Sequence, residues 1–130
     1  MSRFEIPVVE TERLVLRAFR SADLDAFAAM SADAEVMRFI GSGETLDRNM
    51  AWRNMAGFNG HWTLKGCGMW AIERKSDGAF LGRVGLHHPP YWPALEAGWT
   101  LARSAWGQGY AREGARAAID FAHRTLPPQR

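Results

Sequence analysis

The segment Arg13-Leu14-Val15-Leu16-Arg17-Ala18-Phe19 alternates in polarity, with Leu14, Leu16 and Ala18 on one face, and predicts a strand. Ser21 then stands as a helix N-cap, with Asp23 and Asp25 in the first turn, where the helix dipole favours negative charge. Leu24, Phe27 and Ala28 form the apolar stripe of that helix. After the break at Gly41-Ser42-Gly43, Thr45 is a candidate cap for a second helix, in which Leu46, Met50, Met55, Phe58 and Trp62 recur at near-helical spacing. Gly57 and Gly60 weaken its later turns. Two apolar runs, Met69–Arg74 and Phe80–His87, flank Lys75-Ser76-Asp77-Gly78 and predict an antiparallel hairpin. Pro89, Pro90 and Pro93 force a loop, and residues 95–102 form the fourth strand.

The last element is a helix with Ala111, Ala115, Ala118, Ile119, Ala122 and Leu126 on one side and Arg112, Arg116, Asp120 and Arg124 on the other. Asp120 can pair with Arg116 or Arg124 across one turn, and Pro127-Pro128 ends the helix. Strand, helices, three antiparallel strands and a helix make an α+β plan, and 130 residues suit a single domain, residues 1–130. Hydrophobic residues at 47% and charged residues at 23% exclude a disordered chain. The net charge of +2, without a run of one sign, gives no reason to expect nucleic acid as a partner. No apolar stretch reaches membrane-spanning length, and Arg3, Glu5 and Glu10 occupy positions where a signal peptide needs apolar residues. A cytoplasmic protein with no membrane partner is the expectation. The lone Cys67, between two glycines, reads as a small residue in a turn.

Trp106-Gly107-Gln108-Gly109-Tyr110-Ala111 joins the fourth strand to the last helix. Two glycines let backbone approach a ligand, and the free N–H groups of a helix start attract phosphate or pyrophosphate. Such a junction also occurs as a plain tight turn. It lacks the Gly-Lys-Ser/Thr ending of a Walker loop and the third glycine of a dinucleotide fingerprint.

Together with Thr11-Glu12-Arg13-Leu14-Val15-Leu16-Arg17, Glu35-Val36-Met37 and Gly82-Arg83-Val84-Gly85-Leu86, this turn resembles the GNAT superfamily of acetyl-CoA-dependent N-acetyltransferases. The nearest subgroup contains the ribosomal-protein N-terminal acetyltransferases. The resemblance implies a mixed, mostly antiparallel sheet flanked by helices, with acetyl-CoA as co-substrate and no metal. It implies that Trp106, Gly107, Gln108, Gly109, Tyr110 and Ala111 hold the coenzyme pyrophosphate, and that the backbone of Gly98, Trp99, Thr100 and Leu101 pairs with pantetheine. Where the family often has Gln or Arg ahead of the loop, this chain has Ser104, with Arg103 one place too early. The sequence also ends before the family's last strand, helix and hairpin, which carry the group that protonates the leaving thiolate. For a chain ending at Arg130 the expectation is pairing with a second copy through residues 95–102.

Acetyl transfer needs a neutral amine, so a nearby base must take its proton. Glu96, opening the fourth strand, is the first candidate, with His87 and His88 as alternatives because an ordinary histidine titrates near neutrality. Neighbouring strand residues face opposite ways, so only one of the two histidines can serve. They have no third ligand at metal-binding spacing. Among six tryptophans, Trp52, Trp62, Trp70 and Trp99 read as core or groove wall, and Trp92 as a neighbour of an acceptor pocket. A non-catalytic coenzyme A-binding or protein-interaction module with the same fold is the alternative reading.

Overall fold

A computed structural model of the protein describes residues 4–88 and 95–126. Five strands lie side by side in chain order, every neighbouring pair antiparallel: β1 (Val9–Glu10), β2 (Leu14–Arg17), β3 (Met69–Arg74), β4 (Phe80–His87) and β5 (Glu96–Leu101). Helices α1 (Leu24–Ser31), α2 (Ala34–Met37) and α3 (Arg48–Lys65) stand between β2 and β3, and α4 (Tyr110–Thr125) follows β5. The α+β plan and its four longer strands agree with the sequence. β1 was not foreseen, since two residues are too few to show alternation.

One sheet face carries Leu14, Leu16, Trp70, Ile72, Val84 and Leu86 and packs on α4. The other carries Met69 and Ala71 and packs on Phe19, Phe27, Met30, Val36, Met37 and Met55 from the α1 to α3 side. The end of α3 reaches into the first core, where Trp62 lies 4.8 Å from Trp70 and 5.7 Å from Phe121, ring centre to ring centre. Each such pair contributes ~0.5–1.5 kcal/mol beyond its buried area.

Phe121 also corrects the expected face of α4. Tyr110, Gly114, Ala115, Ala118 and Phe121 are buried, whereas Ile119 is 45% exposed. The rest of the expected stripe holds, with Ala111, Ala122 and Leu126 packed against the core, but the ring of Phe121 takes the place expected for Ile119. Asp120 pairs with Arg124 at 3.1 Å as expected.

Two helix starts also differ from expectation. Asp23, not Ser21, organises the first: its carboxylate accepts the Arg20 N–H at 2.9 Å and receives the Arg17 guanidinium at 2.8 and 2.9 Å. Asp47, not Thr45, caps α3 by accepting the Met50 N–H at 2.8 Å. The later start shifts the stripe of α3 to Ala51, Met55 and Trp62, leaving Met50 exposed. α3 runs through Gly57 and Gly60 and ends at Gly66. Trp62 and Trp70 are core residues, but Trp52 and Trp99 are about half exposed, at 55% and 48%. Trp92 lies outside the described residues. Among the described residues, no helix is long and apolar enough to cross a membrane.

Candidate active site

The glycine turn between β5 and α4 owes its shape to Gly107 and Gly109, at φ 74° and 82°, conformations that side-chain-bearing residues rarely adopt. α4 begins directly after Gly109 with no side chain capping it. The first bond of the helix runs from the Glu113 N–H to the Gly109 carbonyl, so the N–H groups of Tyr110, Ala111 and Arg112 have no acceptor within the helix. An anion could take all three.

Several contacts fix this turn. Trp106 Nε1 donates to the Leu101 carbonyl at 3.0 Å, and Gln108 Nε2 donates to that of Ser104 at 2.9 Å. From β2, Arg13 donates through Nη1 to the Gln108 carbonyl at 3.0 Å, pairs with Glu113 at 2.7 Å and lies 4.3 Å from the Tyr110 ring centre. Thr11 Oγ1 and the Arg13 N–H also donate to Glu113. Burial alone would raise the Glu113 carboxyl, but these bonds from Thr11 and Arg13 outweigh it and hold the group below its ordinary value. Thus the Thr-Glu-Arg motif near the chain start braces the glycine turn some hundred residues later. Arg103 is committed elsewhere, donating to Asp33 at the start of α2.

β5 ends the sheet among the described residues. The Ala102 N–H donates to the Leu81 carbonyl, so alternation turns the backbone groups of Gly98 and Thr100 toward β4 and those of Trp99 and Leu101 toward the open edge. A cleft of about 590 Å³ between β5 and α4 is lined by Trp99, Ala111, Arg112, Ala115, Arg116 and Ile119. Of the sequence-predicted segments 98–101 and 106–111, Trp99 and Ala111 line this cleft.

The candidate bases gather at the other end of β5. Glu96 sits directly opposite His87, Gly98 opposite Gly85, and Thr100 opposite Arg83. Opposed residues share a sheet face. The structure thus brings together Glu96 and His87, while His88 follows the end of β4. Burial, and after it the charge of the neighbouring Arg83, lowers the His87 pKa below its ordinary value, while Glu96 opposes the shift.

His61, which sequence reasoning missed, organises this corner. Its ring stacks on His87 with centres 5.3 Å apart. Nδ1 lies 2.7 Å from the Cys67 carbonyl, and Nε2 lies 2.9 Å from the His88 amide nitrogen. A carbonyl only accepts and an amide N–H only donates, so His61 is the neutral tautomer with its proton on Nδ1. It is a clamp between β3 and the end of β4. The sequence signal for it was Gly66, whose left-handed turn folds Cys67 back toward His61. Cys67 itself is buried, which pushes its thiol pKa up.

The family model described as acetyltransferase (GNAT) domain matches residues 13–130. The uncharacterized protein YkkB of Bacillus subtilis is 30% identical over 119 residues, 85% of this chain and 65% of that protein. An acetyltransferase structure from Agrobacterium tumefaciens superposes with a TM-score of 0.83 at 33% identity, over 97% of this chain and 72% of that one. RimL, a ribosomal L7/L12 alpha-N-protein acetyltransferase solved in complex with coenzyme A, shares the fold at a TM-score of 0.74 and 16% identity, over 91% of this chain and 68% of its own. This chain therefore spans about two thirds of the length of such relatives.

Proposed function

Because the chain belongs to the GNAT acetyltransferase family, we propose that it transfers the acetyl group of acetyl-CoA to a primary amine, on a protein N-terminus or a small molecule, by direct attack. The observation that carries this reading is the uncapped start of α4 beside the open edge of β5. Trp106, Gly107, Gln108, Gly109, Tyr110 and Ala111 hold the pyrophosphate, chiefly through N–H groups of the first helical turn. The backbone edge of Gly98, Trp99, Thr100 and Leu101 takes the pantetheine arm, with Trp99 foremost because both its backbone groups point outward. RimL, a protein of the same fold, is solved in complex with coenzyme A, which supports coenzyme A as the ligand class. A single acetyltransferase-like domain acting in the cytoplasm completes the reading.

When bound, acetyl-CoA supplies an activated thioester. The chain's own residues must free the amine of its proton: Glu96 takes it, with His87, kept neutral by burial, as the second acceptor across the strand pair. The N–C bond forms as the C–S bond breaks; the attacking nitrogen sheds its second proton, and the leaving thiolate takes up that proton. His88 contributes its amide N–H to His61.

Two measurements on one preparation test this. Calorimetry should show coenzyme A binding that weakens about tenfold in Gly109→Ala, whose φ of 82° the alanine would resist. With an amine acceptor, Glu96→Gln should lower turnover at neutral pH and recover at high pH, where the amine is already neutral. Absence of coenzyme binding defeats the proposal. A Glu96→Gln profile that overlays the parent transfers the base role to His87.

A further inference from the structure

Arg83 projects from β4 onto the same sheet face as His87 and Glu96, and nothing in the reading above uses it. Its guanidinium lies over the Phe58 ring at 5.2 Å, and Nη1 donates to the Met69 thioether at 3.5 Å. Neither partner is an anion. Burial lowers its pKa to about 10, which still leaves it charged at neutral pH. The residues outside the described set, 1–3, 89–94 and 127–130, contribute no Asp or Glu side chain. A guanidinium has five N–H donors in a fork that fits a carboxylate, and leaving it half-buried without a counterion is costly.

A second polar group beside it is also unsatisfied. Thr100, directly opposite Arg83 across the β4–β5 pair, is 5% exposed, and its hydroxyl has no hydrogen-bond partner among the described residues. A cavity of about 450 Å³ adjoins the same ring and reaches His87; Phe58, Arg53 and Lys65 stand in its wall, and no carboxylate lines it. Between Arg83 with Thr100 at one end and His87 with Glu96 at the other lie only Gly85 and Gly98, with the Met69 methyl over Gly98. Four residues of strand make that separation ~13 Å, less the reach of the side chains.

We propose that Arg83, with Thr100, binds a carboxylate of the acceptor, so that the protein selects small amines that carry a carboxylate over neutral amines. The claim rests on the acetyltransferase reading for the amine's fate, but not for binding. A carboxylate at Arg83 supplies the missing counterion and an acceptor for the Thr100 hydroxyl, while the amine at the other end of the molecule lies toward Glu96. Arg83 then acts as a specificity-determining residue that takes no part in proton transfer.

The test is calorimetric titration, with and without coenzyme A, of β-alanine, γ-aminobutyrate and ε-aminocaproate, each beside its carboxamide. At least one acid should bind about tenfold more tightly than its amide, as a charge-assisted bidentate pair requires. Arg83→Met should bring that ratio to about one, and Arg83→Lys, which keeps the charge but loses the fork, should retain part of it. Where turnover is measurable, the lost preference should appear in KM for the acid. Equal binding of every acid and amide, or a preference that survives in a folded Arg83→Met or is unchanged in Arg83→Lys, overturns the proposal. Acetylation of both members without discrimination sinks the role of Arg83 alone, whereas failure to bind coenzyme A sinks the preceding reading and leaves the acid–amide ratio to decide this one.

Discussion

Arg17 and Arg83 rise from the same face of the sheet, on β2 and β4 with Ala71 of β3 between them, and the fold treats them oppositely. Arg17 receives two carboxylates: Asp23 at 2.8 Å and Glu73 at 2.9 Å, with the Arg17 and Asp23 side chains only 12% and 5% exposed. Burial would lower the Arg17 pKa, but the hydrogen bonds to Asp23 and Glu73 outweigh it and raise it. Arg83 meets a thioether and an aromatic ring, so burial acts unopposed. A cation whose counterions are supplied by the chain joins elements of the fold; Arg17 ties β2 to β3 and to the start of α1. A cation left without one keeps its capacity for something that arrives from outside. The two arginines therefore separate the architectural side of this face from its binding side.

The comparison breaks most visibly at Asp23. Asp23→Asn leaves Arg17 with half its charge partners in a nearly closed site and should cost ~3 kcal/mol, read from denaturant unfolding. Burial alone would raise the Asp23 carboxyl, but the bonds from Arg17 hold it below its ordinary value of 3.8. With the folded pKa below the unfolded one, the contribution is complete above about pH 4 to 5 and is lost as pH falls through 3.8 toward the folded value. The parent should thus lose stability through that window more steeply than Asp23→Asn. Parallel curves would mean that the Arg17–Asp23 pair contributes nothing.

The architectural side was the more legible in the sequence. Alternation marked β2, and the two apolar runs flanking the Asp-Gly turn marked β3 and β4, because these signals are local. The glycine turn was legible for the same reason. The register of β5 against β4 was not, since the proline-rich stretch between them hides which residues face each other. That register alone turns His87 and Glu96 from alternatives into opposed partners and sets Thr100 against Arg83. Phe58 was on the stripe of α3 read from spacing, but His61, which reaches the site from the same helix, was not, because that stripe counted only apolar residues. Ile119 was misassigned because the pattern counted its hydrophobicity and left out the bulk of Phe121.

A paired arginine closer to solvent sharpens the contrast at an intermediate level. Arg13 and Glu113 have side chains 41% and 18% exposed, and water screens such a pair more than it screens Arg17 and Asp23. Glu113→Gln should lower the unfolding midpoint by less than Asp23→Asn does. Because Glu113 also holds Thr11 and the Arg13 N–H, its loss should loosen the glycine turn and weaken coenzyme A binding several-fold. A loss of stability equal to that of Asp23→Asn would show that exposure does not grade these pairs.

The smallest effect on stability belongs to Arg83, and its smallness is what the comparison demands. Arg83→Met gives up the stacking on Phe58, worth ~0.5–1 kcal/mol for a partly exposed cation on a ring. Against this, it removes an uncompensated charge from a site where burial already disfavours it, and methionine can fill the space beside Met69 and Phe58 with its flexible chain. The two nearly cancel, so stability should stay within ~1 kcal/mol of the parent at neutral pH. The measurement is the same denaturant unfolding used for Asp23→Asn. A loss approaching that of Asp23→Asn would make Arg83 another architectural cation, whose partner the chain itself provides, and the division of this sheet face into two sides would fall. A near-zero change, combined with the lost preference for acids over amides, leaves Arg83 conserving little stability and determining what binds.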